Sequence, residues 1–444
     1  MTEGPSPPPQ RASKLEIFGW CMFDFANSSY TTLIITFAYS VYFVKTVVPG
    51  GGYSEEEGDL LWGLGNGVSQ AIVLITAPLV GAIADFSGSK KRFLLLSYLL
   101  CVGGTACLGL VGPGDVALGF SLFVFSNIFY SCGENLVAAF LPEIATTEDM
   151  GRISGTGWAL GYMGGLASLA ACYPLLSQGL DAEHAPQVKE SFLVVALFFF
   201  VAGLPTFLFL RERAQPKELP KGKNYVTAGF HRVYETLLQI RRYRQLFRFL
   251  VVFLAYTAGI NIVVSFANIF AEREIKMNVK ELLILFIVLQ VSGSLGAVLF
   301  GFLQDWISSK LAIQLSLLLW VTVCVGAYFS KSLLSLYVIG NIAGLAMGSA
   351  QSGGRALVGT FSPPERNGEF FGFWALFWKL SAVIGPPFFG WMSLRLGIRN
   401  AILATTLFFI AGIVGMLFVD EEEGKRAART SPGAEGRAIQ AKLS

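Results

Sequence analysis

The sequence predicts an all-α membrane protein with twelve transmembrane helices in two six-helix halves. Of its 444 residues only 14% are charged, whereas soluble proteins carry about 25%. The hydrophobic share is 53%, and the apolar residues fall into twelve runs near the length of about 20 residues that crosses a hydrocarbon core. A polar, basic segment separates the first six runs from the last six. These observations exclude a soluble multidomain protein.

The twelve runs are bounded by polar, glycine-rich or proline-containing segments. In the first half they span residues 17–44, 60–85, 93–111, 116–141, 154–177 and 191–210. In the second half they span residues 246–270, 281–304, 311–329, 333–360, 369–394 and 400–419. The predicted domain organisation is a disordered cytoplasmic N-terminal tail (1–16), a first half (17–211), a basic cytoplasmic linker (212–245), a second half (246–419) and a cytoplasmic C-terminal tail (420–444).

Lysine and arginine are distributed unevenly between the two sides of the predicted membrane. With a cytoplasmic N terminus, 23 of the 33 basic residues lie on the cytoplasmic side and 8 on the other. Cytoplasmic loops of membrane proteins carry this excess. We therefore expect a multi-pass protein with both termini in the cytoplasm. The membrane would be the plasma (inner) membrane in a bacterium, or the vacuolar or plasma membrane in a eukaryote.

Several classes of function are excluded by residues that the sequence lacks. Histidine occurs only at His184 and His231, in polar segments, so no imidazole lies at membrane depth for a Ser-His hydrolase, a haem or a metal site. The net charge of +3 is too small for nucleic-acid binding, and no Walker-type loop indicates ATP hydrolysis. We therefore expect no enzyme activity, no cofactor, no metal and no nucleic-acid partner.

An internal repeat relates the two halves. Gly81 to Asp85 after the second run matches Gly301 to Asp305 after the eighth, at an offset of about 220 residues. Two further pairs of segments follow in the same order: Ser131–Glu134 with Ser352–Arg355, and Trp158–Leu160 with Trp374–Leu376. Parallel six-helix repeats are typical of a large class of transporters whose substrate site lies between the halves near mid-membrane.

The most specific motif lies between the second and third runs and reads G-x3-D-x2-G-x-K-x-R. Its defined positions are Gly81, Asp85, Gly88, Lys90 and Arg92, and the second copy keeps Gly301, Asp305 and Lys310 but has Ser308 for the second glycine. The first glycine would allow two helices to approach closely, and the second would permit a tight turn. The aspartate could accept hydrogen bonds from nearby donors or face a helix N-terminus. We therefore predict a cytoplasmic gating loop that holds one conformation of the two halves.

This loop resembles the signature of the major facilitator superfamily. The first run, from Gly19 to Tyr30, is similar to the W-x-x-x-D-x-A-N-S-x-Y opening of the branch first catalogued as unknown major facilitators. Further matches lie at residues 139–145, 151–162 and 369–379. That branch is related to the fungal autophagy-associated vacuolar amino-acid effluxers. The resemblance implies twelve helices and secondary transport, with amino-acid export from a vacuole in the fungal members.

A few polar and charged residues fall inside the apolar runs, where they need a partner, a proton or water. They lie in the first, fourth, tenth and eleventh runs, at Asp24, Asn27, Glu134, Gln351, Arg355 and Lys379. Helical spacing puts Asp24 and Asn27 on one face of the first run, and Gln351 and Arg355 on one face of the tenth. The acids lie in the first half and the cations in the second. One hypothesis is a cavity for a zwitterion, and another is a cytoplasmic gate made by direct pairing, for example of Glu134 with Arg355. A third is a set of unrelated structural pairs.

The leading hypothesis from the sequence is a secondary active transporter that works by alternating access. We expect it to export amino acids or related small polar or zwitterionic metabolites, driven by a gradient of protons or another ion. Asp24 and Glu134 are the candidate proton carriers. Its partners would be this small-molecule substrate, the coupling ion and the lipid bilayer, and we expect a monomer. The alternative is a lipid translocator or a non-transporting sensor on the same fold.

Overall fold

The structure is a computed structural model that describes residues 12–146, 148–177, 179, 183–213, 227, 234, 243–277, 279–363 and 366–429. The predicted tails and linker therefore lie largely outside the described residues. The first half contains helices α1 Lys14–Gly50, α2 Glu55–Ser87, α3 Lys90–Leu108, α4 Val116–Ala138, α5 Met150–Leu176 and α6 Ala185–Phe209. The second half contains α7 Arg244–Ile275, α8 Val279–Trp306, α9 Ser309–Phe329, α10 Leu333–Phe361, α11 Asn367–Leu396 and α12 Ile398–Leu417.

The number of long helices confirms the predicted architecture. Among the described residues, ten helices are long and apolar enough to cross a membrane, and α2 makes eleven if its bent halves count as one span. The bend of 41° in α2 lies near Pro78, which cannot donate a backbone hydrogen bond to the preceding turn. The helix α11 carries the intramembrane Lys379 and completes the set of twelve.

Helix α1 departs from regular α geometry. It is α-helical over Lys14–Ser29 and then π-helical over Tyr30–Phe37 and again over Phe43–Val47. Within the first π segment, the Thr36 hydroxyl donates to the carbonyl of Thr31, five residues back, at 2.9 Å. π-Helical segments widen a turn and occur frequently at functional sites. The hydropathy pattern contains no sign of this change.

Each half has its own hydrophobic core. The first core is built around large side chains such as Trp20, Tyr30 and Phe123, and the second around Tyr256, Trp320 and Phe409. The repeat visible in the sequence thus corresponds to two separately packed six-helix bundles. The bundles meet along α2 with α11 and along α5 with α8.

The ends of the halves differ from the sequence prediction by a few residues. The first helix begins at Lys14, so the predicted tail is too long at its end, because Ser13 caps the helix and Glu16 is buried against Arg213. Helix α7 begins at Arg244, inside the predicted linker.

The predicted C-terminal tail contains a further helix, α13 Glu421–Arg429. A hydrogen bond from the backbone N–H of Glu423 lowers the pKa of Asp420, which precedes this helix. The backbone N–H of Asp420 donates to the Gln245 side chain at the start of α7. We call this side of the bundle, where α1 and α7 start and α12 ends, the linker side.

Candidate functional site

The first gating loop holds the N-terminus of a helix in the other half. The Asp85 carboxylate accepts a hydrogen bond from the backbone N–H of Glu369, in the first turn of α11, at 3.1 Å. Gly81 lies against the backbone of Gly368, where a Cβ atom would stand 2.0 Å from the carbonyl oxygen. A carboxylate at a helix N-terminus accepts unpaired N–H groups and complements the helix dipole. The loop therefore fastens α2 to α11.

The second gating loop repeats this contact in the opposite direction. Asp305 accepts hydrogen bonds from the backbone N–H groups of Gly151 at 2.8 Å and Arg152 at 2.9 Å, in the first turn of α5. Gly301 packs on the same turn. Each half thus caps the fifth helix of the other half on the linker side. The sequence identified both aspartates but not the helices they hold.

The two loops differ where the second copy lacks a glycine. Gly88 ends α2 in a left-handed conformation with φ of 60°, which favours glycine. Ser308 has extended backbone, and its hydroxyl accepts a hydrogen bond from the Leu311 N–H at the start of α9. The substitution therefore replaces a helix C-cap by a helix N-cap.

The basic positions of the motif have separate contacts. Lys90 is 1% exposed and forms ion pairs with Asp85 at 3.1 Å and with Glu143 after α4. Lys310 donates to the carbonyl of Val419 at 2.8 Å, whereas Arg92 is exposed to solvent. Among the described residues, no lysine or arginine within 4 Å pairs with Asp305. The first loop therefore contains a buried charge network that the described residues of the second loop lack.

Deeper in the bundle, Arg355 of α10 binds two residues of the first half. Its Nη1 donates to Asp24 at 2.7 Å, its Nε donates to the Ser154 hydroxyl at 3.1 Å, and its Nη2 donates to the Ser154 carbonyl at 2.8 Å. The guanidinium also lies over the rings of Trp20 and Trp158, 4.7 and 5.2 Å from their centroids. Arg355 therefore ties α10 to α1 and α5.

This geometry corrects one pairing considered from the sequence. Arg355 bonds Asp24 and not Glu134, because Asp24 and Ser154 face it across the interface between the halves. Gly157 makes room for the pair, since a Cβ atom there would stand 2.6 Å from the Asp24 carboxylate. The sequence missed Ser154 as a ligand of Arg355, although it lies in the segment 151–162 that carries part of the resemblance.

Glu134 and Lys379 make fewer and longer hydrogen bonds than Arg355. The Tyr130 hydroxyl donates to Glu134 at 3.5 Å, and the Lys379 ammonium donates to the Ser131 hydroxyl at 3.4 Å. Glu134 is within electrostatic reach of Lys379, Asp24 and Arg355. Among the described residues, neither group has an ion-pair partner within 4 Å. An acidic group from one half and a basic group from the other thus lie within electrostatic reach of each other without forming an ion pair.

Two further polar residues of the predicted stripes lie in α1 and α10. Asn27, one helical turn beyond Asp24, is 6% exposed, and its side-chain oxygen has no hydrogen-bond partner among the described residues. Gln351 accepts a hydrogen bond from Tyr162 of the first half at 2.5 Å. Hydrogen bonds and ion pairs between the halves thus extend from the two loops on the linker side to this level. The linker side is therefore closed.

Known proteins resemble this chain in sequence over most of its length. Residues 63–429 match the family described as "Vacuole effluxer Atg22 like". The chain belongs to this family. One relative, the "Uncharacterized MFS-type transporter YxiO" of Bacillus subtilis, is 25% identical over 91% of this chain and 94% of its own length. Autophagy-related protein 22-1 of Aspergillus fumigatus is 26% identical over 67% of this chain and 53% of its own length.

Solved structures confirm the fold of this Atg22-like chain. The human organic anion transporter MFSD10 superposes with a TM-score of 0.68 at 13% identity, covering 93% of this chain and all of its own. The transporter FucP in the outward conformation gives 0.68 at 13% identity, covering 91% and 98%. The family and the fold make the chain a transporter of the major facilitator superfamily, as the motifs predicted. The Bacillus relative and both solved structures are named as transporters.

Proposed function

We propose that this protein exports amino acids or related small zwitterionic metabolites in exchange for protons, by alternating access. Glu134 and Lys379 are its cargo site, and Asp24 with Arg355 is its gate on the linker side. This division rests on the number and length of the hydrogen bonds that these side chains make. Arg355 donates three hydrogen bonds to Asp24 and Ser154, whereas Glu134 and Lys379 each make one long hydrogen bond.

A carboxylate and an ammonium that face each other unpaired suit a zwitterion. The cargo carboxylate would bind Lys379, and the cargo ammonium would bind Glu134, with the unpartnered oxygen of Asn27 as a further acceptor. Leaving such charges apart in the membrane is costly, and a ligand of opposite polarity at each end would offset that cost.

The same carboxylate supplies a mechanism for exchange. Glu134 is able to bind either the cargo ammonium or a proton, and the two neutralise it alternately. In the empty carrier, a proton would remove the negative charge and permit the halves to move. Asp24 is the alternative proton carrier, but its carboxylate is already bonded to Arg355 while the linker side is closed.

The proposal also includes the orientation of the protein in the membrane. The excess of basic residues in the linker and the neighbouring loops supports a cytoplasmic linker side. With the linker side closed, the structure would then represent the state that releases cargo to the opposite side. The gating loops and the Asp24–Arg355 pair must break before cargo enters from the cytoplasm.

Thermal unfolding of the purified protein with single amino acids, sugars and nucleosides tests the cargo class. A ligand at 100 times its Kd stabilises the folded state by about 2.7 kcal/mol. We expect amino acids to raise the Tm of the wild type and of the control Lys331→Gln, an exposed lysine remote from the site. They should not raise it for Lys379→Gln. Stabilisation by a non-zwitterionic class alone would overturn the proposal.

Transport by proteoliposomes containing a pH-sensitive dye tests the exchange. With an equimolar mixture of amino acids on one side, we expect protons to move opposite to the cargo. Glu134→Gln should abolish proton movement, whereas the exposed Glu190→Gln should leave it unchanged. Protons moving with the cargo, or transport that ignores the pH gradient, would contradict exchange. Lipid movement with no amino-acid movement would favour a lipid translocator.

A further inference from the structure

A line of hydroxyl groups leads from the π-helical part of α1 to Glu134. The Thr31 hydroxyl and the Tyr130 hydroxyl are 2.7 Å apart, and either can donate. The Tyr130 hydroxyl is in turn 3.5 Å from Glu134. Thr31 is partly exposed. Thr36, one π turn further along α1, is exposed, and its hydroxyl donates to the carbonyl of Thr31. We propose that Thr31 and Tyr130 form the path by which protons reach Glu134 from the side opposite the linker.

The distances fit a relay that is not permanently closed. A separation of 2.7 Å is a strong hydroxyl hydrogen bond, whereas 3.5 Å is near the limit at which a hydrogen bond exists. A small rotation of the Glu134 side chain would bring its carboxylate onto the Tyr130 hydroxyl. Because Tyr130 and Glu134 are four residues apart on α4, they share one helical face, and the approach needs no backbone movement.

Neighbouring groups hold the Tyr130 ring in place. Among the described residues, its hydroxyl has only Thr31 and Glu134 as hydrogen-bond partners. The ring of Tyr130 stacks on Tyr30, with centroids 4.9 Å apart and an interplanar angle of 19°. The Tyr30 hydroxyl bonds Ser126 instead, at 2.7 Å. Two stacked tyrosines thus have different roles: Tyr30 anchors the ring of Tyr130, and Tyr130 carries the exchangeable proton.

The π segment explains why α1 supplies a hydroxyl at this point. It begins at Tyr30, the residue before Thr31, so the wider turn sets the position of Thr31 opposite α4. The corresponding first helix of the second half, α7, is α-helical over Arg244–Ile275. The acidic site lies in the first half, and so does the irregular helix. This asymmetry matches a path that serves Glu134 alone.

Each proton transfer is balanced. A hydronium ion on the opposite side gives a proton to the Thr31 hydroxyl as Thr31 passes its own to Tyr130, and Tyr130 passes its own to the Glu134 carboxylate. Both hydroxyls end as they began, and Glu134 becomes a neutral acid. The other titratable or charged groups that act on Glu134 or Tyr130 are Asp24 of α1, Cys101 of α3, Arg355 of α10 and Lys379 of α11.

The inference rests on the proposed function, in which Glu134 takes up a proton. Time-resolved infrared spectroscopy after a pH jump, on the full-length protein in liposomes, follows the carboxyl band that Glu134→Gln removes. We expect Tyr130→Phe and Thr31→Val to slow its appearance by about 100-fold, the range that a positioned proton donor contributes. The controls Tyr30→Phe and Thr32→Val, which lie beside the path, should protonate at the wild-type rate.

The outcomes separate the two proposals. If Glu134→Gln removes no band and leaves proton movement intact, the role of Glu134 fails and the path fails with it. If Glu134→Gln removes the band but Tyr130→Phe and Thr31→Val protonate as fast as wild type, the path alone is wrong. If Tyr30→Phe slows protonation as much as Tyr130→Phe, the tyrosines act by packing and the relay is excluded.

Discussion

The Arg355 guanidinium of the second half lies 2.7 Å from the Asp24 carboxylate of the first half, in a position where Arg355 is 3% exposed. This ion pair joins α10 to α1 across the interface between the halves. It lies on the same side of the bundle as the two gating loops. Three separate contacts therefore close the linker side: two helix N-caps and one buried ion pair.

Replacing Arg355 by lysine should open the linker side. Lysine keeps the charge but cannot bind Asp24 and Ser154 together, because it lacks the planar fork of donors. Losing the geometry of a buried pair costs about 3 kcal/mol, enough to shift a conformational equilibrium by more than tenfold. Spin labels at Arg92→Cys and Leu311→Cys, in a background without the six native cysteines, report the separation of the halves.

We expect that distance to increase in Arg355→Lys and in Asp24→Asn. The control is Lys331→Gln, which should keep the wild-type distance. An unchanged distance in both gate variants would show that the pair is not part of the closure.

Replacing Gly81 by alanine should also disfavour the closed linker side. The added Cβ would stand 2.0 Å from the carbonyl oxygen of Gly368, a backbone atom that cannot turn away. Overpacking of this kind costs about 1–3 kcal/mol. Gly67→Ala is the matched control, because it lies in the same helix and its Cβ would have no atom within 4 Å.

The same pair of spin labels and the Tm measure the result. Alanine is a better helix former than glycine, so Gly67→Ala should raise the Tm slightly. Equal effects of the two substitutions would exclude a specific contact at Gly81.

Asp85 and Asp305 occupy equivalent positions, but their removal should have different costs. Asp85→Ala removes a helix cap and leaves the buried Lys90 with Glu143 as its remaining acid partner among the described residues. Asp305→Ala removes a cap, worth about 1 kcal/mol, and leaves no buried cation behind. We expect Asp85→Ala to lower the Tm more than Asp305→Ala. The double variant Asp85→Ala with Lys90→Met should recover part of the loss, and no recovery would contradict the charge argument.

Restoring the missing glycine of the second loop should bring no gain. Gly88 needs its left-handed backbone, so Gly88→Ala should destabilise the protein by about 1 kcal/mol. Ser308→Gly should be neutral or cost a few tenths, because Ser308 has extended backbone and caps α9. Thermal unfolding of the two variants measures the difference. A rise in the Tm of Ser308→Gly would show that this loop also requires a left-handed residue.

Much of the fold follows from the sequence because burial in lipid imposes a simple pattern. Each span needs an apolar run of a certain length, and the repeat of Gly81 and Asp85 at Gly301 and Asp305 marks the two halves. This pattern does not determine where the helices end. The start at Lys14 depends on the contact between Glu16 and Arg213, which are far apart in sequence.

The sequence by itself determined the class, the division into halves and the short set of intramembrane charges, since each is a matter of composition or spacing along one chain. Only the tertiary structure decided which charges meet. Arg355 has Asp24 and Ser154 as partners and Glu134 stands apart, because pairing depends on how helices from two halves are rotated against each other. Hydropathy does not encode that rotation. Nor does hydropathy encode the π turn that places Thr31 beside Tyr130, because that turn changes the geometry of α1 and not its composition.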